Sequence, residues 1–306
     1  MRTMKVQGVQ RFQNSSFKSG LAPADLLYKQ ELIKGIQQKY QFTPKLESLK
    51  SVLAPGELKT LLKQFTEKHF AIGRSDAKFE NVINGGFRVN LHSHTRCSDG
   101  FMAPADFLEQ SRMYADRVAK LSPNDGLPAY TTATTDHNDF KASAQIIAQI
   151  AEEPEKYKNL KFVAGCEFMF SDKDSGFKFP AYEVLGLGVN PYDKELVYNI
   201  GYFNPISIIP IIKKFGAILS YAHPARFLQG NGVEPKFIEY LKRIGIDAIE
   251  SRYQYVNLKP TKELQESIDN VKRVALDNNF YETGGTDTHG KNIFFAGSDK
   301  YLDVIG

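Results

Sequence analysis

Residues 87–100 read FRVNLHSHTRCSDG and combine a short apolar run with three side chains that bind metal ions in proteins. The apolar run over 87–91 predicts a β-strand. His92 and His94 stand at its end, and Asp99 follows five residues after the second histidine. Side chains two residues apart share a face of an extended segment, so both imidazoles are expected to point into one site. Imidazole and carboxylate together suit Zn, Mn or Fe.

The same arrangement recurs along the chain, where each apolar run delivers an acidic or imidazole side chain at or near its end. The predicted strands are 87–91, 129–135, 160–165, 181–187, 217–221, 247–249 and 281–284. The side chains delivered by the later six are Asp136, His137, Glu167, Glu183, His223, Glu250, Asp287 and His289. Of the histidines, only His69 lies elsewhere, and we interpret it as a surface or packing residue. This concentration of ligand types predicts a metal cluster.

Helical stretches alternate with these strands and indicate the fold. The predicted helices of this region are 104–119, 141–151, 205–215, 235–244 and 261–279. Such alternation is typical of parallel strands joined by crossover helices, so we expect an α/β fold with a closed or nearly closed, TIM-like barrel of seven strands. The third and fourth strands lack a helix between them, and residues 171–178 resemble a hairpin connection. In parallel barrels the site lies at the C-terminal ends of the strands.

The segment before the first strand has a different character. We divide the chain into a flexible leader (1–22), a small helical extension (23–85) and the barrel (86–306), with Asn84-Gly85-Gly86 at the boundary. Helices are expected at 24–40, 46–53 and 56–70. All candidate ligands follow the extension, so the barrel is expected to be complete without it.

The charge is uneven, because residues 1–86 carry 14 Lys and Arg against 7 Asp and Glu, whereas the remainder carries 25 against 28. A basic segment can contact nucleic acid or an anionic surface, but we favour a solvated extension. The slightly acidic remainder argues against a dedicated nucleic-acid groove. No apolar run approaches the roughly 18–20 residues that span a bilayer, and residues 1–10 do not begin a secretory signal. Cys97 and Cys166 lack CxxC spacing, so we expect a cytoplasmic protein without disulfides or membrane partners.

The motifs, taken together, resemble the PHP family, the polymerase and histidinol phosphatase domain of metal-dependent phosphoesterases. The resemblance covers residue 87 to the end of the chain. It rests on HSHTRCSDG (92–100), TTDHND (134–139), GCEF (165–168), AHPAR (222–226) and GTDTHG (285–290). It implies a distorted seven-stranded (β/α) barrel that holds two to three divalent ions, Mn, Fe or Zn, at the strand ends.

The resemblance also implies a role for each ligand. His92, His94, Glu167 and Asp287 would hold one ion. Glu167 would bridge to a second ion, which His223 also binds, and Asp99, His137 and His289 would hold a third. Asp136 would orient His137 or a neighbouring ligand through a hydrogen bond.

Glu183 departs from the family pattern, since related small phosphoesterases usually have a histidine there. A glutamate can bind a hard cation through oxygen, or it can simply line the barrel. Both interpretations of Glu183 stay open at this point.

The expected chemistry is hydrolysis of a phosphate ester. Metal ions lower the pKa of bound water towards neutrality, which supplies a hydroxide nucleophile without Ser or Cys. The side chains expected at the reacting phosphoryl group are Glu167, Asp287, His289 and Arg226. Arg226 is our choice for a phosphate clamp, because a guanidinium can donate two parallel hydrogen bonds; Arg96 and Arg252 are the rivals. The substrate stays open among a small phosphomonoester, a nucleotide and the end of an oligonucleotide.

Two other functions compete with this one. An amidohydrolase-like enzyme would typically use a carboxylated lysine at the third or fourth strand end, where Glu167 and Glu183 stand instead. A catalytically idle metal-binding module, acting as a scaffold through residues 1–86, would bind ions without turnover.

Overall fold

The computed structural model describes residues 23–39, 44–70, 85–121, 125–171, 181–199, 205–228, 231–253 and 261–293. The predicted flexible leader (1–22) and nearly all of the expected hairpin connection at 171–178 lie outside these ranges. Within them, no helix combines the length and the apolar character needed to cross a bilayer.

Seven strands form one sheet, and their order in the sheet follows their order in the chain. The strands are β1 (Val89–Asn90), β2 (Tyr130–Thr134), β3 (Leu160–Ser171), β4 (Ala181–Leu187), β5 (Ile218–Tyr221), β6 (Ala248–Ile249) and β7 (Tyr281–Glu282). β4 runs antiparallel to β3 and β5, and the other neighbouring pairs are parallel. The α/β class and the seven strands are confirmed. The closed, all-parallel sheet of a TIM-like barrel is not found, since the described sheet is mixed and open. Nine residues of the chain separate β3 from β4, fewer than the roughly dozen that a parallel crossover needs, so antiparallel pairing is expected.

The two edges of the sheet approach each other beyond their strand ends. The backbone nitrogen of Asp287 donates a hydrogen bond to the carbonyl of His92 (2.9 Å), and that of His94 donates to the carbonyl of Thr288 (3.0 Å). These bonds curl the sheet into a half-barrel. They also place the segments after β1 and β7 side by side.

Helices pack around the sheet. They are α1 (Pro23–Lys39), α2 (Pro55–Gln64), α3 (Pro104–Leu121), α4 (Lys141–Glu152), α5 (Lys194–Asn199), α6 (Pro205–Lys214), α7 (Ala225–Leu228), α8 (Pro235–Ile244) and α9 (Lys262–Asp277) among the residues described. The five helices predicted between strands correspond to α3, α4, α6, α8 and α9. The helices α5 and α7 were not predicted, because so few residues cannot show a helical repeat.

The predicted helix at 46–53 is wrong, since only Leu46–Ser48 form a 3₁₀ turn. The chain then becomes extended, and Val52 forms a parallel bridge with Phe162 of β3. β4 pairs with β3 only from Gly165 onwards, so the first residues of β3 offer unpaired backbone groups on that side. The extended segment satisfies them, and this long-range pairing overrides the local helical pattern.

An apolar core lies on one face of the curled sheet. Leu58 and Leu62 of α2 are buried in it, together with Phe65 and Phe70. The strand side chains around them are Val89, Leu91, Ala133, Val163, Leu185, Leu187, Ile218 and Ala248. The segment that contains α2 is therefore built into the same core as the strands.

Candidate metal centre

The loops that follow β1 and β7 bring the first ligands together. His92 and His94 are buried, and Asp287 lies beside them because its loop approaches β1 closely. Gly285 permits this approach, since a Cβ there would lie 2.5 Å from the backbone nitrogen of His92. Asp287 (φ 49°) and His223 (φ 29°) both have left-handed backbone. Such strain in non-glycine residues concentrates at functional sites.

The first donor group consists of His92, His94, Glu167 and Asp287, all of them buried. Nε2 of His92 lies 3.2 Å from Oε2 of Glu167 and 3.2 Å from Oδ1 of Asp287. Nε2 of His94 lies 3.1 Å and 3.0 Å from the same two oxygens. Four donors at these separations surround a point about 2 Å from each, which matches the bonds of a four-coordinate Zn²⁺.

The hydrogen bonding of His92 supports the fit of a cation. Its Nδ1 lies 3.1 Å from each carboxylate oxygen of Glu250, and a proton on Nδ1 satisfies that contact. Nε2 then presents a lone pair towards the oxygens of Glu167 and Asp287. Acceptors that face one another in a buried site repel unless a cation or a proton lies between them.

Without a bound cation, protons on the imidazoles reduce this repulsion. Burial alone would lower the pKa of His94, but hydrogen bonds to Asp287 and Glu167 raise it to about 10. Burial would raise the pKa of Asp287, whereas the neighbouring His92 and His94 hold it far below its usual value. The protonated imidazoles therefore carry positive charge beside the carboxylates, and a divalent cation can replace that charge.

A second donor group shares Glu167 with the first. Its Oε1 lies 3.2 Å from Nε2 of His223, while its Oε2 faces the first group. Nε2 of His223 also lies 3.2 Å from Oε2 of Glu183. The carboxylate of Glu167 thus divides its two oxygens between adjacent donor groups, as a bridging ligand does.

Antiparallel pairing of β3 and β4 brings Glu183 to this place. Glu167 pairs with Leu185, so Glu183, two residues before Leu185, lies on the same face of the sheet as Glu167. Burial and repulsion from Glu167 raise the pKa of Glu183 to about 7. Of the two open interpretations, the geometry favours a ligand over a lining residue.

A third, looser group lies towards the rim and consists of His94, Asp99, His137 and His289. Oδ1 of Asp99 is 3.2 Å from Nε2 of His289, and its Oδ2 is 3.8 Å from Nε2 of His137. Although burial acts in the opposite direction, His289 and the other imidazoles lower the pKa of Asp99 to about 2. Nδ1 of His137 is buried without a hydrogen-bond partner among the described residues, yet it lies 3.3 Å from Oε2 of Glu167. These two atoms belong to a further group of possible ligands that consists of His137, Glu167 and Glu183.

Every predicted ligand therefore lies in or beside one continuous site. Arg226 is at its rim, with Nη1 3.8 Å from Oδ2 of Asp287 and a side chain that is 44% exposed. Arg252 instead pairs with Glu282 (Nε–Oε2 3.0 Å), and Nε of Arg96 donates to the carbonyl of Phe101 (2.6 Å). Arg226 is thus the candidate clamp whose guanidinium pairs with a carboxylate of the site.

Asp136 supports the loop after β1, which carries the candidate ligand His94. It accepts hydrogen bonds from the backbone nitrogen of Thr95 (2.8 Å), the hydroxyl of Thr95 (2.9 Å) and the hydroxyl of Ser98 (2.6 Å). These bonds fix the segment between His94 and Asp99, which both belong to the rim group.

Two further residues contact the candidate ligands: Glu250, which counted among the potential ligands in the sequence without a specific role, and Tyr253, which the sequence did not single out. Glu250 is buried at the end of β6, where it also accepts a hydrogen bond from the backbone nitrogen of His223 (2.9 Å). The hydroxyl of Tyr253 donates to Oδ2 of Asp287 (2.8 Å). An acid at a strand end was a visible signal for Glu250, whereas a tyrosine in a loop gives none.

Comparison with known proteins adds a limited similarity. No family model and no curated protein matches the sequence. Among solved structures, a provisionally assigned metal-dependent phosphoesterase from Bifidobacterium adolescentis is similar, with a TM-score of 0.43 and 15% identity. The similarity covers 66% of this chain and 88% of that chain. A similarity at this level establishes neither family nor function.

Proposed function

We propose that the protein is a metal-dependent phosphoesterase of the PHP type, which hydrolyses a phosphate ester. The observation that carries the proposal is the position of Glu167, whose two carboxylate oxygens face the adjacent donor groups of His92 and His223. A pair of neighbouring cation positions is the arrangement used to stabilise an in-line displacement at phosphorus.

Divalent ions, two or three of Mn, Fe or Zn, would supply a water of lowered pKa and offset charge on the phosphoryl oxygens. The protein contributes the orientation of the donors. Glu250 holds the ring of His92, and Tyr253 leaves only Oδ1 of Asp287 facing the histidines. Arg226 at the rim would donate hydrogen bonds to a phosphoryl dianion, and His289 of the rim group is likewise partly exposed.

A screen of the full chain tests the proposal. The protein, stripped of metal and reloaded separately with Mn²⁺, Fe²⁺ or Zn²⁺, is assayed for phosphate release from monoesters, nucleotides and 5′-phosphorylated oligonucleotides. We expect turnover of at least one class, lost in His92→Ala and in the metal-free protein. Metal binding without release of phosphate from any of them would instead support the idle binding module.

A further inference from the structure

We propose that the two cation positions joined by Glu167 differ in metal preference. The ratio of Mn²⁺ affinity to Zn²⁺ affinity is higher at the position of Glu183 and His223 than at the position of His92 and His94. The centre would then hold unlike ions. This inference rests on the metal centre of the proposed function, and it concerns which ion each position takes.

The donor atoms of the two positions differ. The first offers two imidazole nitrogens and two carboxylate oxygens, at separations that suit four-coordinate Zn²⁺. At the second, the imidazole of His223 faces carboxylate oxygens of both Glu167 and Glu183, each at 3.2 Å. Oxygen ligands favour hard cations such as Mn²⁺, and imidazole favours Zn²⁺.

The solvent exposure of the two positions also favours Zn²⁺ at the first and Mn²⁺ at the second. The side chains of His92 and His94 are 0% exposed, which suits a closed, fully protein-ligated position. The side chain of Glu183 is 22% exposed. Mn²⁺ prefers six ligands in octahedral geometry, most of them oxygens, and His223, Glu167 and Glu183 would supply only three. Because the Glu183 position opens towards solvent, water molecules can supply the rest.

The preference is a ratio and not an absolute order, because Zn²⁺ binds most nitrogen and oxygen sites more tightly than Mn²⁺ does. We expect the advantage of Zn²⁺ to be smaller at the Glu183 position. Replacement of Glu183 by histidine puts a second imidazole there and should restore the advantage.

Competition between the two ions measures this ratio. The full chain is stripped, loaded with Mn²⁺ and titrated with Zn²⁺, while electron paramagnetic resonance counts the Mn²⁺ released. In the parent, displacement should occur in separate phases, and the last Mn²⁺ should need at least about tenfold more Zn²⁺ than the first. In Glu183→His the resistant phase should move to lower Zn²⁺ by a similar factor. Asp99→Asn, which alters a carboxylate of the rim group, should leave the resistant phase in place.

Displacement of all Mn²⁺ in one phase in the parent would overturn the inference, and so would a resistant phase unchanged in Glu183→His. Circular dichroism establishes that the variant is folded. If Glu183→His does not fold, the number of displacement phases in the parent alone tests the inference. Phosphate release by the Mn²⁺-loaded parent is measured in parallel, because absence of turnover would contradict the proposed function without altering the displacement curve.

Discussion

The hydroxyl of Tyr253 donates a hydrogen bond of 2.8 Å to Oδ2 of Asp287, which leaves Oδ1 of that carboxylate 3.0 Å from Nε2 of His94. Tyr253 therefore fixes the orientation of the Asp287 carboxylate without itself facing the cation position. Partners of this kind orient ligands and raise their affinity for metal.

Tyr253→Phe removes this hydrogen bond and little else. We expect metal affinity, measured by competition with a chelator, to fall about 10- to 100-fold. Tyr114→Phe is the matched control, because the hydroxyl of Tyr114 donates to the carbonyl of Phe87 (2.7 Å) within the helix-covered core. The control should lose about 1 kcal/mol of stability and keep its metal affinity. Equal metal affinities in the parent and in Tyr253→Phe would show that the hydroxyl of Tyr253 does not contribute to metal binding.

Glu250→Gln tests the orientation of His92. The carboxylate of Glu250 faces Nδ1 of His92 and also accepts the backbone N–H of His223, so it fixes ligands of both donor groups. A neutral amide of the same size stabilises Nδ1–H less. We expect weaker metal binding by about 10- to 100-fold, seen in the same chelator competition. Retention of full affinity would mean that backbone packing alone holds the ring.

Metal binding should release protons at neutral pH. The pKa of His94 in the metal-free chain is about 10, because hydrogen bonds to Asp287 and Glu167 outweigh its burial. Below that pH the ring is protonated, and a bound ion must displace the proton, so affinity should rise with pH. Calorimetry at pH 7 in buffers of different ionisation enthalpy measures the number of protons released. Binding enthalpies independent of the buffer would be inconsistent with this charge state.

The segment that contains α2 should be essential for stability, because its side chains form part of the core of the sheet. This prediction replaces the expectation from the sequence that the barrel is complete without residues 23–85. Leu58 on α2 is 0% exposed among strand side chains, so Leu58→Ala should cost about 2–5 kcal/mol in a denaturant titration. Leu27→Ala on α1 is the control, because Leu27 is 61% exposed, and it should cost less than about 0.5 kcal/mol. Deletion of residues 1–80 should prevent folding; a stable, active truncated chain would contradict the packing.

Arg226 is expected to bind the phosphoryl group. Arg226→Ala should lower kcat/KM for phosphate esters about 10- to 100-fold, the loss of a charge-assisted contact of about 1.5–3 kcal/mol. Metal content should be unchanged, since the guanidinium lies 3.8 Å from Asp287 at the exposed rim. Arg226→Lys should recover part of the loss, because an ammonium keeps the charge but not the planar fork. Parent-like turnover in Arg226→Ala would exclude the clamp.

The sequence predicted the ligands because their pattern is local. His92 and His94 alternate along one extended segment, so spacing alone placed them after the first strand. Glu167 was expected at the end of the strand 160–165, but β3 continues to Ser171 and contains it. The contacts of Glu250 and Tyr253 depend on the distance between loops far apart in sequence, which periodicity does not encode.

The fold divides in the same way. Strand positions and the hairpin-type return from β3 to β4 follow from the local pattern, but a mixed, open sheet in place of a closed barrel depends on how the strands assemble. The wrong helix at 46–53 is a further example. Val52 lies in an extended segment because β3 has unpaired backbone groups there, and only the assembled sheet creates them.

The most direct test concerns the bridging position of Glu167. The stripped full chain is titrated with Mn²⁺ while phosphate release from the best substrate of the screen and bound metal are measured on the same samples. Because the two oxygens of Glu167 face adjacent donor groups, turnover should be low at one bound equivalent and should rise steeply as the second binds. Full turnover at one equivalent, or turnover that survives removal of all metal, would contradict the account.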